Sequence, residues 1–379
     1  MTEPILVTQP LMPSLDRYIE KLKTIWSTQW MTNNGELSIE LQNELMNRLQ
    51  IQYLELFANG HMALDIAIRT LKLTGEVITT PFSFASTTHA LTMNSITPVF
   101  CDIHADDYTI DESKLEALIT PKTSAILPVH VYGNPCHVEK IHEVARKHGL
   151  KVIYDAAHAF DVTINGKALA LEGDISMLSF HATKVFNTIE GGALVFHNEE
   201  DAAYARLLRN FGIASAESVP EVGLNAKMNE FSAAMGLCNL EIVGQSIAWR
   251  GRLAKRYQDR LACLKGLRLL DYCKLEERGV KTNYAYMPLE VQRSFCCFTR
   301  DELFDALAAQ DIFARKYFYP LITNYECYIN QFADVSLPIA QNAAQSIMTL
   351  PISGTMSVEA VDKVCDVITA FYNDRMGRK

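Results

Sequence analysis

Lys184 stands in the segment SFHATKVFNTIEGGAL, after an apolar run that ends at Ser179 and before the turn-forming stretch EGGAL. A lysine at a strand end beside a glycine-containing turn lies within a site instead of in solvent. Partial desolvation there lowers its pKa and frees the amine as a nucleophile towards an aldehyde. A lone lysine is ordinarily a solvated surface charge, so its context decides. Asp155 closes the run KVIYD and is followed by small residues and His158 in DAAHAF. Ligand groups collect at the carboxyl ends of strands in an open α/β sheet, and a carboxylate there pairs with a cationic ligand nitrogen; the bland alternative is a loop cap. Asn59 and Gly60 begin the amphipathic run GHMALDIAIRTLKL, a helix start whose free N–H groups and dipole suit a phosphate. Many helices begin after Asn-Gly, so this signal is weak alone. Phe84, in TTPFSFASTTHA, follows a strand that ends at Pro81; its ring suits stacking on a flat heteroaromatic, or plain core packing. A Schiff-base lysine, an acidic partner for a pyridine nitrogen, a phosphate cup and a stacking ring are together what pyridoxal 5′-phosphate (PLP) requires.

The elements that must position these residues follow from hydrophobic period. Strand-like runs are EVITTP (76–81), TPVFCDI (97–103), SAILPVHVY (124–132), KVIYDA (151–156), ISMLSF (175–180) and GALVFH (192–197). Helix-like stretches at 60–73, 111–119 and 137–149 lie between them. Strands apolar throughout, alternating with amphipathic helices, predict an α/β fold with a mostly parallel sheet covered on both faces. After about residue 240 a long helical stretch, LEIVGQSIAWRGRLAKRYQDRLACL, leads into a smaller α+β unit. That unit has NYAYMPLEV as a strand, TRDELFDALAAQ as a helix started by Thr299 with Asp301 and Glu302, and SVEAVDKVCDVITAFYN as the closing helix. The expected division is a large domain over 1–240 and a small C-terminal domain over 241–379.

Composition narrows the function classes. With 379 residues, 49% of them hydrophobic, the chain can bury a large core. A formal net charge of −9 without a Lys/Arg block speaks against nucleic-acid or anionic-membrane partners. No apolar run approaches the ~18 residues of a membrane span, and the N-terminal segment does not read as a signal peptide. Nine scattered cysteines without a C-x-x-C pair read as reduced thiols of a cytoplasmic protein. There is no H-E-x-x-H, and His137 and His142 read as helix surface, so no metal is expected.

The segments WMTNNG, NGHMALDIAI, ITTPFSFASTTHAL, ILPVHVYGNPC, VIYDAAHAF, SFHATKVFNTIEGGAL, GLNAKMNEFSAAMGL and ARKYFYPL carry a specific resemblance. From about Trp26 to its C-terminus the chain resembles the DegT/DnrJ/EryC1/StrS family of PLP-dependent nucleotide-sugar aminotransferases. DAAHA followed by the lysine of SFHATK is the most specific part. TNNG, NAKMNEFSAAMGL and ARKYFYPL are most similar to the branch acting on C4 of dTDP-4-keto-6-deoxy-D-glucose. The resemblance implies the type I fold of PLP enzymes, like aspartate aminotransferase, with L-glutamate as amino donor and a dTDP-sugar as acceptor. It implies that Lys184 carries the cofactor and shuttles the proton, that Asp155 pairs with the pyridinium nitrogen, that Phe84 stacks on the ring and that His158 lies beside it. Gly60, His61 and Ser179 would bind the phosphate, with Asn225 reaching in from a second subunit of an obligate homodimer. Thr32, Asn33, Asn34, Arg315, Tyr317 and Tyr319 are candidates for holding the sugar nucleotide, each with an equally available structural role. By analogy the pathway is surface-polysaccharide or O-antigen synthesis. Three positions depart from the family pattern: His61 replaces Thr or Ser, Lys227 replaces Arg, and Ser232 replaces Gln.

Other readings make different demands on the sequence. Relatives that remove a sugar hydroxyl have His where Lys184 stands. A C3-aminating enzyme of the same family differs only in substrate. A non-catalytic PLP- or sugar-nucleotide-binding regulator would need a broken site or a fused DNA-binding segment, and neither is visible. A nicotinamide oxidoreductase should show G-x-G-x-x-G after the first strand, and none is present; nor is a Walker A motif.

Overall fold

Aliphatic and β-branched runs assemble into one seven-stranded sheet, and the pleat assigns each residue its face. The computed structural model describes residues 3–377. The strands are β1 (Tyr53–Phe57), β2 (Glu76–Thr79), β3 (Thr97–Phe100), β4 (Thr123–Leu127), β5 (Lys151–Asp155), β6 (Ile175–Ser179) and β7 (Gly192–Phe196). Their spatial order is β1-β7-β6-β5-β4-β2-β3. Strands β2 to β6 pair in parallel, whereas β7 runs antiparallel to both β6 and β1. The expected mostly parallel sheet is therefore present with one reversal, and the reversal has a local cause. A parallel return needs a crossover, usually a helix; residues 180–191, which carry Lys184, form no helix, so the chain turns back directly and Gly192 pairs with Ser179.

Helices cover both faces. They are α1 (Leu15–Thr28), α2 (Glu36–Leu49), α3 (Gly60–Thr70), α4 (Ala85–Met93), α5 (Val138–His148), α6 (Glu199–Leu208) and α7 (Glu230–Leu261). On β5, Val152 and Tyr154 face the core shared with α2, α5 and α7, while Ile153 faces the core shared with α3 and α6. Burial on both faces is why these strands lack polar alternation.

Helix α7 runs through residue 240 without a break and leads to a three-stranded antiparallel sheet of β8 (Leu267–Leu269), β9 (Met287–Val291) and β10 (Ile347–Leu350). Helices α8 (Arg300–Ala308) and α9 (Val358–Met376) accompany that sheet. Thr299 and Glu302 form the reciprocal capping box at the start of α8, as their spacing suggests. Two expectations need correction. The helix read over 111–119 is a 3₁₀ turn (Glu112–Lys114) and one short turn of α-helix (Leu115–Leu118). The strand read over 124–132 ends at Leu127, because Pro128 has no N–H to continue the ladder. No helix among the described residues is long and apolar enough to cross a membrane.

Candidate active site

The loop that carries Lys184 is anchored from below. Phe180 donates its N–H to Gly191 O (2.8 Å), Thr188 donates to Phe180 O (2.9 Å), and Lys184 donates its own N–H to His181 O (2.8 Å). Phe180 and Phe186 are fully buried and meet edge to face at 5.0 Å, with Phe160 stacked on Phe186 at 4.5 Å. The aromatic cluster fixes the loop, and Lys184 then lines a small cavity with Ala157, His158, Asn283 and Tyr286.

Asp155 ends β5 and is only 4% exposed. Its Oδ2 accepts the Thr87 hydroxyl (2.7 Å), and its Oδ1 accepts the Ala157 N–H (3.1 Å). Thr87 has one hydroxyl proton, so Ser83, 2.7 Å from it, donates to Thr87 in turn. Burial raises the Asp155 pKa from its ordinary value, against the opposing pull of Thr87, Ala157 and Lys184. His158 Nδ1 accepts the Tyr132 N–H (3.2 Å), which leaves the proton of the neutral ring on Nε2, facing the Tyr286 hydroxyl (3.3 Å). Burial, reinforced by Lys184, pushes the His158 pKa well below its usual value. Burial also lowers the Lys184 pKa; Tyr317 and Asp155 act the other way, and Arg315 adds to the fall. The cluster thus contains a lysine tuned towards the free amine, next to an imidazole that stays neutral.

The candidate phosphate cup is built by close approach. Gly60 opens α3, where the Asn59 side chain caps the helix by accepting the Met62 N–H (2.9 Å). A Cβ at Gly60 would lie 3.1 Å from both Met177 Sδ and Ser179 Cβ, and one at Gly192 would lie 2.7 Å from Gly60 N. Glycine at both positions lets the start of α3 pack against the ends of β6 and β7, so Gly60, His61 and Ser179 come together. His61 Nδ1 is 2.8 Å from Ser86 Oγ. Phe84, at the N-cap of α4, is 54% exposed, so its ring is not consumed by core packing.

The remaining candidates divide. Tyr317 joins the lysine cluster: its carbonyl accepts the Tyr132 hydroxyl (2.6 Å), its ring lies 5.6 Å from Tyr286, and the Arg315 guanidinium stacks on it at 4.3 Å. Tyr319 is 53% exposed, and its ring packs on Arg300 (5.2 Å) and Lys316 (6.0 Å) instead. Asn33 and Asn34 adopt left-handed backbone (φ 65° and 58°), a conformation that Asn tolerates. They line a second, open cleft of about 490 Å³ with Arg206, Arg209 and Lys227, which shares no lining residue with the Lys184 cavity. Thr32 is exposed in the same segment. Asn225, exposed nearby, accepts a hydrogen bond from Lys227 (2.8 Å). Sequence reasoning did not single out Thr87, Tyr132, Asn283 or Tyr286. Thr87 lies in a Ser/Thr-rich stretch with nothing to distinguish it, and Asn283 and Tyr286 arrive from the second half of the chain. Asn283 donates to the carbonyls of His158 (2.9 Å) and Phe160 (2.8 Å) and so holds the loop behind His158.

The donor set fits PLP on one observation in particular. Asp155 is a buried carboxylate that takes part in no salt bridge among the described residues, as a pyridinium partner requires. The fold is that of an aminotransferase, and residues 15–369 match the DegT/DnrJ/EryC1/StrS aminotransferase family. The chain belongs to that family. It is 40% identical to a dTDP-4-amino-4,6-dideoxy-D-glucose transaminase of Shigella dysenteriae, over 97% of this chain and 99% of that protein. It is 32% identical to a GDP-perosamine synthase of Caulobacter vibrioides, over 89% of this chain and 90% of that one. A solved structure of DesI, determined in the presence of its TDP-sugar product, superimposes with a TM-score of 0.93 at 32% identity, covering 99% of this chain and 95% of that one.

Proposed function

We propose that this aminotransferase uses PLP to move an amino group from L-glutamate to dTDP-4-keto-6-deoxy-D-glucose, giving dTDP-4-amino-4,6-dideoxy-D-glucose. The observation that carries the reading is Lys184, tuned towards the free amine, in one cluster with a buried Asp155 that forms no salt bridge among the described residues. The choice of sugar is supported by the 40% identity to the Shigella enzyme. Bound PLP supplies an aldehyde carbon that accepts the amino group and a ring that withdraws electrons from it. Asp155 would hold the proton on the ring nitrogen, and Thr87 and Ala157 orient its carboxylate. Gly60 and His61 at the start of α3, with Ser179, would hold the phosphate, and Phe84 would cover the ring. Lys184, as free amine, takes the proton from the donor's α-carbon and returns it, one base serving both directions of transfer. His158 stays neutral and directs its Nε2–H to Tyr286, which leaves proton transfer to Lys184.

The same reading assigns Asn225 to the site of a second copy in a homodimer. Thr32, Asn33, Asn34, Arg315, Tyr317 and Tyr319 would hold the sugar nucleotide. It divides the chain into a large unit over 1–240 and a small one over 241–379, and sets the enzyme in cytoplasmic O-antigen synthesis. The test is the visible absorption of the purified protein with PLP. A cofactor band that bleaches with L-glutamate and returns with dTDP-4-keto-6-deoxy-D-glucose is the expected result. Bleaching without return keeps the aminotransferase and rejects this sugar, as a C3-aminating or GDP-sugar enzyme would require. No band with added PLP removes Lys184 from its role.

A further inference from the structure

Away from the lysine cluster, three side chains from separate segments converge. His104 follows β3, Glu112 lies in the 3₁₀ turn, and His137 immediately precedes α5. His104 Nε2 is 2.6 Å from Glu112 Oε2, and His137 Nδ1 is 3.0 Å from Glu112 Oε1. The two imidazoles lie 4.7 Å apart, and one donor atom from each of the three residues falls within 4.8 Å of the others. His137, read from the sequence as helix surface, is thus half-buried within a cluster, and Glu112 is only 5% exposed.

Both ring nitrogens of His137 face carboxylates: Nδ1 faces Glu112, and Nε2 lies 3.5 Å from Asp107 Oδ2. A neutral imidazole has one N–H, so one of these contacts sets a lone pair against an anionic oxygen unless a cation occupies the nitrogen. Either a proton or a metal ion resolves that conflict. With a metal on Nδ1, the Nε2–H donates to Asp107, the carboxylate–histidine–metal arrangement that fixes ligating histidines. Asp107 is itself held by the Thr109 N–H (2.9 Å) and hydroxyl (2.8 Å). Tetrahedral ligands 2.0–2.1 Å from an ion stand about 3.3 Å apart, so the 2.6 Å and 3.0 Å separations need to open by less than about 1 Å. Asp111 Oδ1 lies 3.8 Å from His104 Nε2 and accepts the Ser113 N–H (3.1 Å) and hydroxyl (2.6 Å), so the three residues His104, Glu112 and His137 carry the site. The cation now on Glu112 is Lys140 (2.7 Å), whose side chain is 64% exposed and free to swing into solvent.

We propose that His104, Glu112 and His137 form a structural site for a zinc-class divalent ion, with Asp107 holding the His137 ring from behind. Two imidazoles and one carboxylate favour zinc over calcium or magnesium. The ion would tie the segment after β3 to the N-terminus of α5, the helix that leads into β5 and Asp155.

The test is equilibrium dialysis of the full-length, tag-free holoenzyme against Zn²⁺, with metal and protein quantified. The expected result is one zinc per chain, lost in the His104→Ala/His137→Ala double variant while the PLP absorption band stays unchanged. Asp107→Asn weakens binding by about 10–100-fold. Lys140→Ala, an exposed substitution that the fold tolerates, tightens it by about two- to fivefold. Equal zinc in wild type and double variant, or none in either, overturns the proposal and leaves a proton as the cation of this cluster. So does unchanged affinity in Lys140→Ala.

Discussion

The Lys184 cluster and the α7–α9 seam use charge in opposite ways. Along the seam Arg256 and Arg260 both reach Asp362 (2.8 Å and 2.6 Å), and Arg260 also bonds Asp366. There each shift favours the charged form: both arginines are raised and Asp362 is lowered, mainly by direct hydrogen bonds. Around Lys184 the shifts favour the neutral form, and burial is the leading cause for Lys184, Asp155 and His158 alike. Buried charges without partners cost stability, whereas exposed pairs add little. The contrast therefore separates exposed charges paired across two helices from buried groups that the proposed reading reserves for an incoming charged ligand.

The largest effect expected from that contrast is at Lys184. Lys184→Ala should lower turnover by about 10²–10⁴-fold or more, because the proposed reading gives the transfer no other base. The same variant should melt slightly higher than wild type when PLP is absent, by about 1–3 °C. The sign follows from linkage: burial lowers the Lys184 pKa in the folded chain, so below its unfolded value the protonated lysine is held less favourably folded than unfolded and disfavours the fold. Calorimetry of both PLP-free proteins checks this, and a lower melting point for the variant breaks the comparison.

A smaller effect concerns acid. His158 is held below its unfolded value of about 6.5, so its contribution is present above that pH and is lost as pH falls towards the folded value. His130, fully buried and pushed down to about 3, acts with the same sign. PLP-free protein should lose stability from pH 7 to pH 5, and His158→Gln should lose less over the same interval. Parallel melting curves for the two proteins would show that His158 is not the neutral group described. The smallest effect is at the seam: Asp362→Asn should shift the melting point by no more than about a degree, and less in high salt, since exposed pairs contribute little. A large shift would mean that the seam, too, stores uncompensated charge.

How much of this was legible in the sequence depended on how locally each feature is encoded. Asp155 and Gly60 sit where a single strand or helix ends, and Lys184 lies in the loop between two strands, so period and turn residues singled them out. The capping box at Thr299 was legible for the same reason. Strand β1 was missed because Glu55 interrupts YLELF, and only the folded chain brings Arg206 (2.6 Å) and Arg209 (3.0 Å) to that buried charge. Helices α1 and α2 were also not read. The polar face of each is broad, and only Ile25 of α1 is buried.

The sequence by itself determined the alternation of strands and helices and the family, and it singled out Lys184 and Asp155 as candidates, because these rest on residue type and short-range spacing. Tertiary structure alone decided that β7 runs backwards, that Thr87, Tyr132, Asn283 and Tyr286 complete the lysine site, and that Asn33 and Asn34 line a different cleft. It alone set His137 against His104 and Glu112. Those outcomes depend on which distant segments share a desolvated space, and burial there fixes protonation as well as contact.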